Sequence, residues 1–297
     1  MTESPDLSLA VTAGQLIEQV AAYFSAADIH LGHGTDNPVD EAAALIFHIM
    51  RLDHTGTADQ YQQPATSRER AQIVRLSRER VQTRTPLPYL TGEAWFAGIP
   101  FYVEPAVLIP RSPIAELIID RFAPWLAAEQ VRKILEVGTG SGCIAIACAL
   151  AFPDAQVVAT DISPAALDVA GRNIRRHDVA DRVSLKLTDH MDGVAGPFDL
   201  IISNPPYVPV AEVAQLPAEY RHEPELGLAS GADGLDSARR ILQDAAQLLS
   251  PSGMLVLEVG AQWTALQEAF PQLPFNWLDF ERGGIGVGLL SANALQS

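Results

Sequence analysis

The stretch Ile134-Leu135-Glu136-Val137-Gly138-Thr139-Gly140-Ser141-Gly142 decides the fold. Residues 132–137 read as a buried strand running into a turn with glycines at alternate positions. Glycine adopts backbone shapes that other residues avoid and lets a ligand approach the chain closely. An apolar helix is expected over 141–151, opening near Ser141, with its first N–H groups aimed at whatever lies against the turn. Outward from here strands and helices alternate. Strands are predicted over 155–160, 183–187, 198–203, 253–259, 276–281 and 285–290, and helices over 163–176, 235–249 and 261–269. This is the pattern of an α/β doubly wound sheet of about seven strands. The last two strands join through Gly283-Gly284 without room for a helix, so they should pair antiparallel in an otherwise mostly parallel sheet.

Upstream, residues 1–85 read as a small helical domain. Leu16, Ile17, Val20, Tyr23 and Phe24 recur at helical spacing, Asn37 caps a helix that has Pro38 at its first position, and Thr66 with Glu69 forms a capping box for a third. That third helix carries Arg68, Arg70, Arg75, Arg78 and Arg80, with Arg84 just beyond. They read either as a solvated face or as a contact for nucleic acid or an acidic surface. Residues 86–111 hold too many prolines and glycines for a long helix and are expected to form a connector or short hairpin. Its aromatics Tyr89, Trp95, Phe96, Phe101 and Tyr102 should pin it to a core. A further helix is expected over Ile114–Phe122, opening the main domain at 112–297.

Bulk properties narrow the partners. The chain has 297 residues, 36 acidic against 20 basic, for a net charge of −16, and only Lys133 and Lys186 are lysines. Such a balance suits a basic partner better than a phosphate backbone. Cys143 and Cys148 have neither redox nor zinc spacing and are expected in the core. The acidic N-terminus lacks the order of a signal peptide, and no apolar run is long enough to span a membrane, so a cytoplasmic protein is expected.

The glycine pattern is GxGxG rather than the dinucleotide GxGxxG. Asp161 ends the next strand, some 20 residues after the glycines, where a carboxylate can accept two ribose hydroxyls, while Ser163 is free to cap the following helix. Asp189 closes the third strand at the height expected for an adenine amino group. Glu136 either contacts the far end of a cofactor or braces the turn. Gly138, Thr139, Gly140 and Gly142 complete the expected cofactor loop. A pyrophosphate would meet the negative charge of Glu136, Asp161 and Asp189, whereas the cationic sulfonium of S-adenosylmethionine would be comfortable there. No cluster has metal-site spacing, so no metal is expected.

Asn204-Pro205-Pro206-Tyr207 follows the apolar strand 198–203, at the sheet edge where ligands bind. An amide nitrogen is a poor nucleophile because its lone pair is shared with the carbonyl. Asn204 can accept one N–H through its side-chain oxygen, the Pro205 carbonyl can accept the other, and Tyr207 can pack over the planar group. Both contacts strengthen as positive charge grows on nitrogen. The prolines, Pro206 included, stiffen the loop. Further on, His222 and Glu223 are candidates for gripping the substrate or holding the acceptor loop.

These motifs resemble those of the PrmB/PrmC (HemK-like) family of protein N5-glutamine methyltransferases over residues 85–290. The glycine turn resembles its cofactor loop, Asn204-Pro205-Pro206-Tyr207 its amide-presenting motif, and Val107-Leu108-Ile109-Pro110-Arg111 the segment that closes over the cofactor side. The resemblance implies a Rossmann-like methyltransferase sheet, S-adenosylmethionine as cofactor, and transfer of its methyl group to a glutamine side-chain nitrogen. Pro110-Arg111-Ser112-Pro113-Ile114-Ala115-Glu116-Leu117 and the stretch from Glu219 to Gly231 are similar to the branch that modifies the third protein of the large ribosomal subunit. The other branch modifies the GGQ glutamine of release factors. Outside the family, adenine-N6 methylation of nucleic acid poses the same chemical problem. A catalytically silent assembly factor and a dehydrogenase are more distant alternatives.

Overall fold

The computed structural model describes Pro5, residues 10–53 and residues 56–296, so the acidic leading segment lies, Pro5 apart, outside the described residues. The chain divides into two compact units, one of Met1–Glu93 with Pro217–His222, the other of Ala94–Leu216 with Glu223–Ser297.

The first unit is helical: α1 (Ala13–Ala26), α2 (Pro38–Met50), α3 (Ser67–Thr83) and α4 (Leu87–Thr91). Leu16, Val20 and Phe24 of α1 pack with Leu45 and Ile46 of α2 and Ile73 of α3, all buried. Asn37 accepts the Val39 and Asp40 N–H groups at the start of α2, and the Thr66–Glu69 box closes at the start of α3. The arginine helix departs from the expectation of a solvated face. Arg80 is 1% exposed and donates to Glu41 (2.6 Å), Glu219 (3.3 Å) and the His30 carbonyl (2.7 Å). Arg84 donates to Glu219 (3.2 Å) and the Asp28 carbonyl (2.7 Å). Arg80 and Arg84 therefore help hold the unit together, because Glu41 and Glu219 are buried carboxylates that need charged partners. Glu219 arrives on Pro217–His222, which is distant in sequence from the helices and absent from any helical reading of residues 1–85.

The second unit opens with a hairpin of β1 (Glu93–Phe96) and β2 (Ile99–Tyr102), then α5 (Ile114–Ile119). Phe96 and Phe101 are buried as expected, but Trp95 and Tyr102 face outward, since alternate residues of a strand take opposite faces. Next come β3 (Lys133–Val137), α6 (Cys143–Ala151), β4 (Gln156–Asp161), α7 (Pro164–Arg176), β5 (Val183–Leu187) and β6 (Phe198–Ser203). The chain ends with α8 (Val210–Val213), α9 (Asp236–Leu248), β7 (Leu249–Glu258), α10 (Trp263–Ala269), β8 (Asn276–Trp277), β9 (Val287–Ser291) and α11 (Ala292–Leu295). The sheet order is β5-β4-β3-β6-β7-β9-β8; the first five strands are parallel and β9 runs antiparallel to β7 and β8. It is a Rossmann-like sheet closed by an antiparallel hairpin, as expected. Apolar clusters cover both faces, and Cys143 and Cys148 are buried in one of them. Among the described residues no helix is long and apolar enough to cross a membrane.

Several elements are shorter than the sequence suggests, three of them for a reason the structure shows. The helix expected to reach Phe122 stops at Ile119, because Arg121 and Phe122 turn into the left-handed region (φ +52° and +56°) and Phe122 drops into the core. The strand expected over 276–281 keeps only Asn276–Trp277, because the Glu281 and Arg282 N–H groups turn to the Glu116 carboxylate (3.0 Å each). The helix expected from Ser141 begins at Cys143, since Gly142 is itself left-handed at φ +81°.

Candidate active site

The sheet reverses its winding between β3 and β6, so the loops leaving these two strands diverge and open a crevice at their carboxyl ends. Val137 pairs with Ser203 and also with Thr160, so Gly138, Asn204 and Asp161 leave three adjacent strands at one level. Two buried hydroxyls lock that edge. Ser203 Oγ donates to the Val137 carbonyl (2.7 Å), and Thr160 Oγ1 donates to the His190 carbonyl (2.8 Å).

Gly138 and Gly140 have φ of +76° and +55°, and a Cβ on either would meet nothing within 4 Å. The turn thus needs glycine for its backbone shape while presenting open space to a ligand. At Gly142 a Cβ would stand 3.2 Å from that of Ala170, so this glycine serves close helix packing instead. Glu136 lies behind the turn. Its buried carboxyl accepts from Thr139 Oγ1 (2.5 Å) and the Ala145 N–H (2.9 Å), and burial pushes its pKa up to about 8. Asp161 accepts the Gly140 N–H (2.8 Å) on one oxygen and the Ser163 N–H (2.9 Å) on the other, leaving each oxygen a further lone pair. Burial raises its pKa against these hydrogen bonds.

A cleft of about 1000 Å³, its open mouth included, runs along this edge; Gly138, Gly140, Asp161, Asp189, Asn204, Pro205 and Pro206 all line it. The structure therefore brings together residues expected for cofactor and for acceptor. Glu136, Thr139, Gly142 and Tyr207 stand behind that lining. The Tyr207 ring is pressed against Gly260, where an added Cβ would be 2.7 Å from its Cε2. Beyond it the chain is held by Val208 and Ser230, which exchange backbone bonds with Leu228 and Val208 (2.8 and 2.9 Å). His222 and Glu223 also lie outside the lining. His222 belongs to the helical unit, with Nε2 3.0 Å from the Thr83 carbonyl oxygen. Glu223 accepts both terminal nitrogens of Arg111 (2.6 and 2.8 Å) and the Ile109 N–H (3.1 Å), so its carboxylate ties down the segment that carries Leu108.

Leu108 lines the cleft, in the segment expected to close over the cofactor side, but Ile162, Leu226 and Gly227 escaped the sequence reading. Ile162, 50% exposed, projects beside Asp161, and Leu226 and Gly227 meet Leu108 along the same cleft. A Cβ on Gly227 would be 2.3 Å from Leu108 Cδ1. An apolar residue following a strand-terminal aspartate is the one local signal for Ile162. Leu226 and Gly227 had none, since only tertiary packing sets them against Leu108.

The donor set tests what the cleft can hold. Among the described lining residues there is no lysine or arginine, while Asp161 and Asp189 supply carboxylates and Ile162, Leu108 and Leu226 supply apolar walls. A pyrophosphate would lie here without a countercharge. A nucleoside with a diol and a cationic sulfur fits: its hydroxyls have Asp161, its flat base has the apolar walls, and its charge is matched. Among the described residues no three His, Cys, Asp or Glu side chains gather as a metal site would need.

The Methyltransferase small domain family matches residues 117–217. The ribosomal protein uL3 glutamine methyltransferase of Neisseria meningitidis serogroup B is 42% identical over 285 residues, 96% of this chain and 94% of its own. That of Neisseria gonorrhoeae is equally identical and covered to 95%. Among solved structures, the hMettl16 catalytic domain in complex with MAT2A 3′UTR hairpin 6 shares the fold, at TM-score 0.53 and 17% identity over 73% of this chain and 82% of that one. Identity at this level across nearly the full length, carried on a sheet whose switch point holds both motifs, places the chain: it belongs to the family of ribosomal protein uL3 glutamine methyltransferases.

Proposed function

We propose that the protein transfers a methyl group from S-adenosylmethionine to the side-chain nitrogen of a glutamine in ribosomal protein uL3. One observation carries the reading: the glycine turn with Asp161 and the tetrapeptide with Asn204 line a single cleft with no lysine or arginine among its described lining residues. Bound S-adenosylmethionine supplies a methyl group activated by its sulfonium. Gly138 and Gly140 leave room for the cofactor, Asp161 holds its ribose, and Asp189 with Ile162 takes the adenine. Glu136 and Thr139 stiffen the turn from behind, and Gly142 sets the following helix against Ala170. Glu223 positions Leu108 over the cofactor by holding Arg111 and Ile109.

The acceptor chemistry belongs to the tetrapeptide. Asn204 Oδ1 and the Pro205 carbonyl accept the two amide N–H groups, which aims the nitrogen lone pair along the line of attack. Both dipoles are preorganised, and both interact more strongly with the cationic nitrogen of the transition state than with the neutral amide. Pro206 restricts the loop, and Tyr207, which stands behind the lining with its ring on Gly260, sets the geometry of the acceptor loop from behind rather than packing over the amide plane. Once methylated, the nitrogen is acidic enough to release its proton to water, so no strong base is required. We assign substrate recognition to the helical unit of residues 1–85, with His222 contributing from its edge, and place the reaction in the cytoplasm, on uL3 either free or within an assembling particle. Incidental contact with ribosomal RNA falls to the exposed Arg68, Arg75 and Arg78, since Arg80 and Arg84 are engaged internally.

The test is methyl transfer from labelled cofactor to purified uL3, release factor and unmethylated DNA, with mass mapping of the product. Label on a uL3 glutamine is the expected result; label confined to the release factor or to adenine would overturn the reading. Asn204→Ala should cut turnover by orders of magnitude with cofactor affinity nearly unchanged, and Asp161→Ala should weaken the cofactor. The reverse pattern would refute the assigned roles.

A further inference from the structure

A second concavity lies on the same edge of the sheet as the acceptor loop. Register places it there: Ser203 pairs with Leu257, so Asn204 is level with Glu258, Glu258 pairs with Val287, and the Leu278 N–H bonds the Val287 carbonyl (3.0 Å). From Leu278 the chain leaves the sheet and forms one wall of a groove of about 1010 Å³, mouth included; α5 and the turn after it form the other. Three strand spacings separate β6 from β8, roughly 14 Å. The outer wall is held in place, because both carboxylate oxygens of Glu116 accept backbone N–H groups from Glu281 and Arg282.

The groove has a mixed character. Ile119 is 56% and Trp125 39% exposed, both large apolar side chains lining it. Asp120, Asp279 and Glu281 rim it, all exposed, and among the described residues none has a side-chain hydrogen bond or ion pair. Arg282 is the only basic residue among the described lining. Apolar floor with a surplus of unpaired carboxylates is complementary to a cationic peptide bearing a hydrophobic side chain. A ribosomal protein rests on an RNA polyanion and therefore carries such cationic segments.

We propose that this groove docks a basic segment of the protein substrate, flanking the acceptor glutamine and seating an apolar side chain on Ile119 and Trp125 while its Lys or Arg residues pair with Asp120, Asp279 and Glu281. An extended chain covers the 14 Å in about four to five residues, so the docked segment begins at about that distance from the methylated glutamine. The inference rests on the assignment of a ribosomal protein as substrate, and it adds a specificity site remote from the reacting atoms.

The test compares wild type with the double variant D279N/E281Q, whose exposed side chains leave folding intact, and separately with Trp125→Ala. Two substrates are used: full-length uL3, and a peptide of about seven residues centred on the acceptor glutamine, too short to reach the groove. The expected result is a rise of about tenfold in KM for uL3, lessened at high salt, with kcat, KM for S-adenosylmethionine and peptide turnover unchanged. An unchanged KM for uL3, or an equal rise with the short peptide, overturns the docking site. If wild type places no methyl on uL3, the functional reading fails by itself, and docking is judged by calorimetry: equal affinity of wild type and D279N/E281Q for uL3 overturns it.

Discussion

Gly260→Ala is expected to disable the acceptor loop while sparing the cofactor. Gly260 has φ +50°, and a Cβ there would stand 2.7 Å from Tyr207 Cε2 and 2.9 Å from Cζ. Ordinary contact begins near 3.4 Å, so the ring must withdraw by about 0.7 Å. It cannot withdraw alone, because the next residues are held by backbone bonds from Val208 and Ser230 (2.8 and 2.9 Å). The displacement passes instead to Pro205 and Asn204. A misplacement on the 1 Å scale lowers a positioned reaction by about 100-fold. The left-handed backbone adds about 1–2 kcal/mol of destabilisation. Gly283→Ala supplies the control, since Gly283 has φ +81° but nothing within 4 Å of an added Cβ. The assay is saturating methyl transfer to uL3 beside calorimetric binding of S-adenosylmethionine. Gly260→Ala should lose kcat about 30- to 100-fold with cofactor affinity unchanged, and Gly283→Ala should lose neither. A Gly260→Ala enzyme within about threefold of wild type in kcat would refute the claim that Tyr207 sets the acceptor geometry.

The helical unit offers a stability test: Arg80→Met should cost about 3–5 kcal/mol in urea denaturation, because it leaves the buried carboxylate of Glu41 without a charged partner and Glu219 with Arg84 alone, and a loss below about 1 kcal/mol would contradict the network. Burial raises Glu136 from 4.5 to about 8, so the folded state binds that proton more tightly than the unfolded one. Its contribution is complete below pH 4.5 and is lost as pH rises through about 8. Glu136→Gln should therefore gain stability relative to wild type between pH 5 and pH 8, by about 1.4 kcal/mol at most for each pH unit crossed. The same difference in urea midpoint at both pH values would exclude that titration.

Much of the fold was legible because each core strand is a short apolar run ended by a turn residue. Lys133–Val137, Val183–Leu187 and Phe198–Ser203 fall where periodicity and the flanking glycines, Asp189 and Asn204 put them. The caps at Asn37, Thr66 and Ser163 were equally readable, since capping depends on residues within one turn of the helix. Elements bounded by distant partners were not. Nothing local in 276–281 tells that Glu116 will draw Glu281 and Arg282 away from the sheet.

By itself the sequence determined the strand–helix alternation, the glycine turn, the strand-ending carboxylates Asp161 and Asp189 and the tetrapeptide Asn204-Pro205-Pro206-Tyr207. Each of these is written within a few consecutive residues. Tertiary structure alone decided that Glu223 would tie down the segment of Leu108 and that Arg80 would be buried between Glu41 and Glu219. It also set Tyr207 against Gly260 and opened the acidic groove beside Trp125. These depend on residues from 39 to 139 positions apart, or on two strands lying side by side, and the energy of a buried charge or a close contact exists only once folding has brought its partners together.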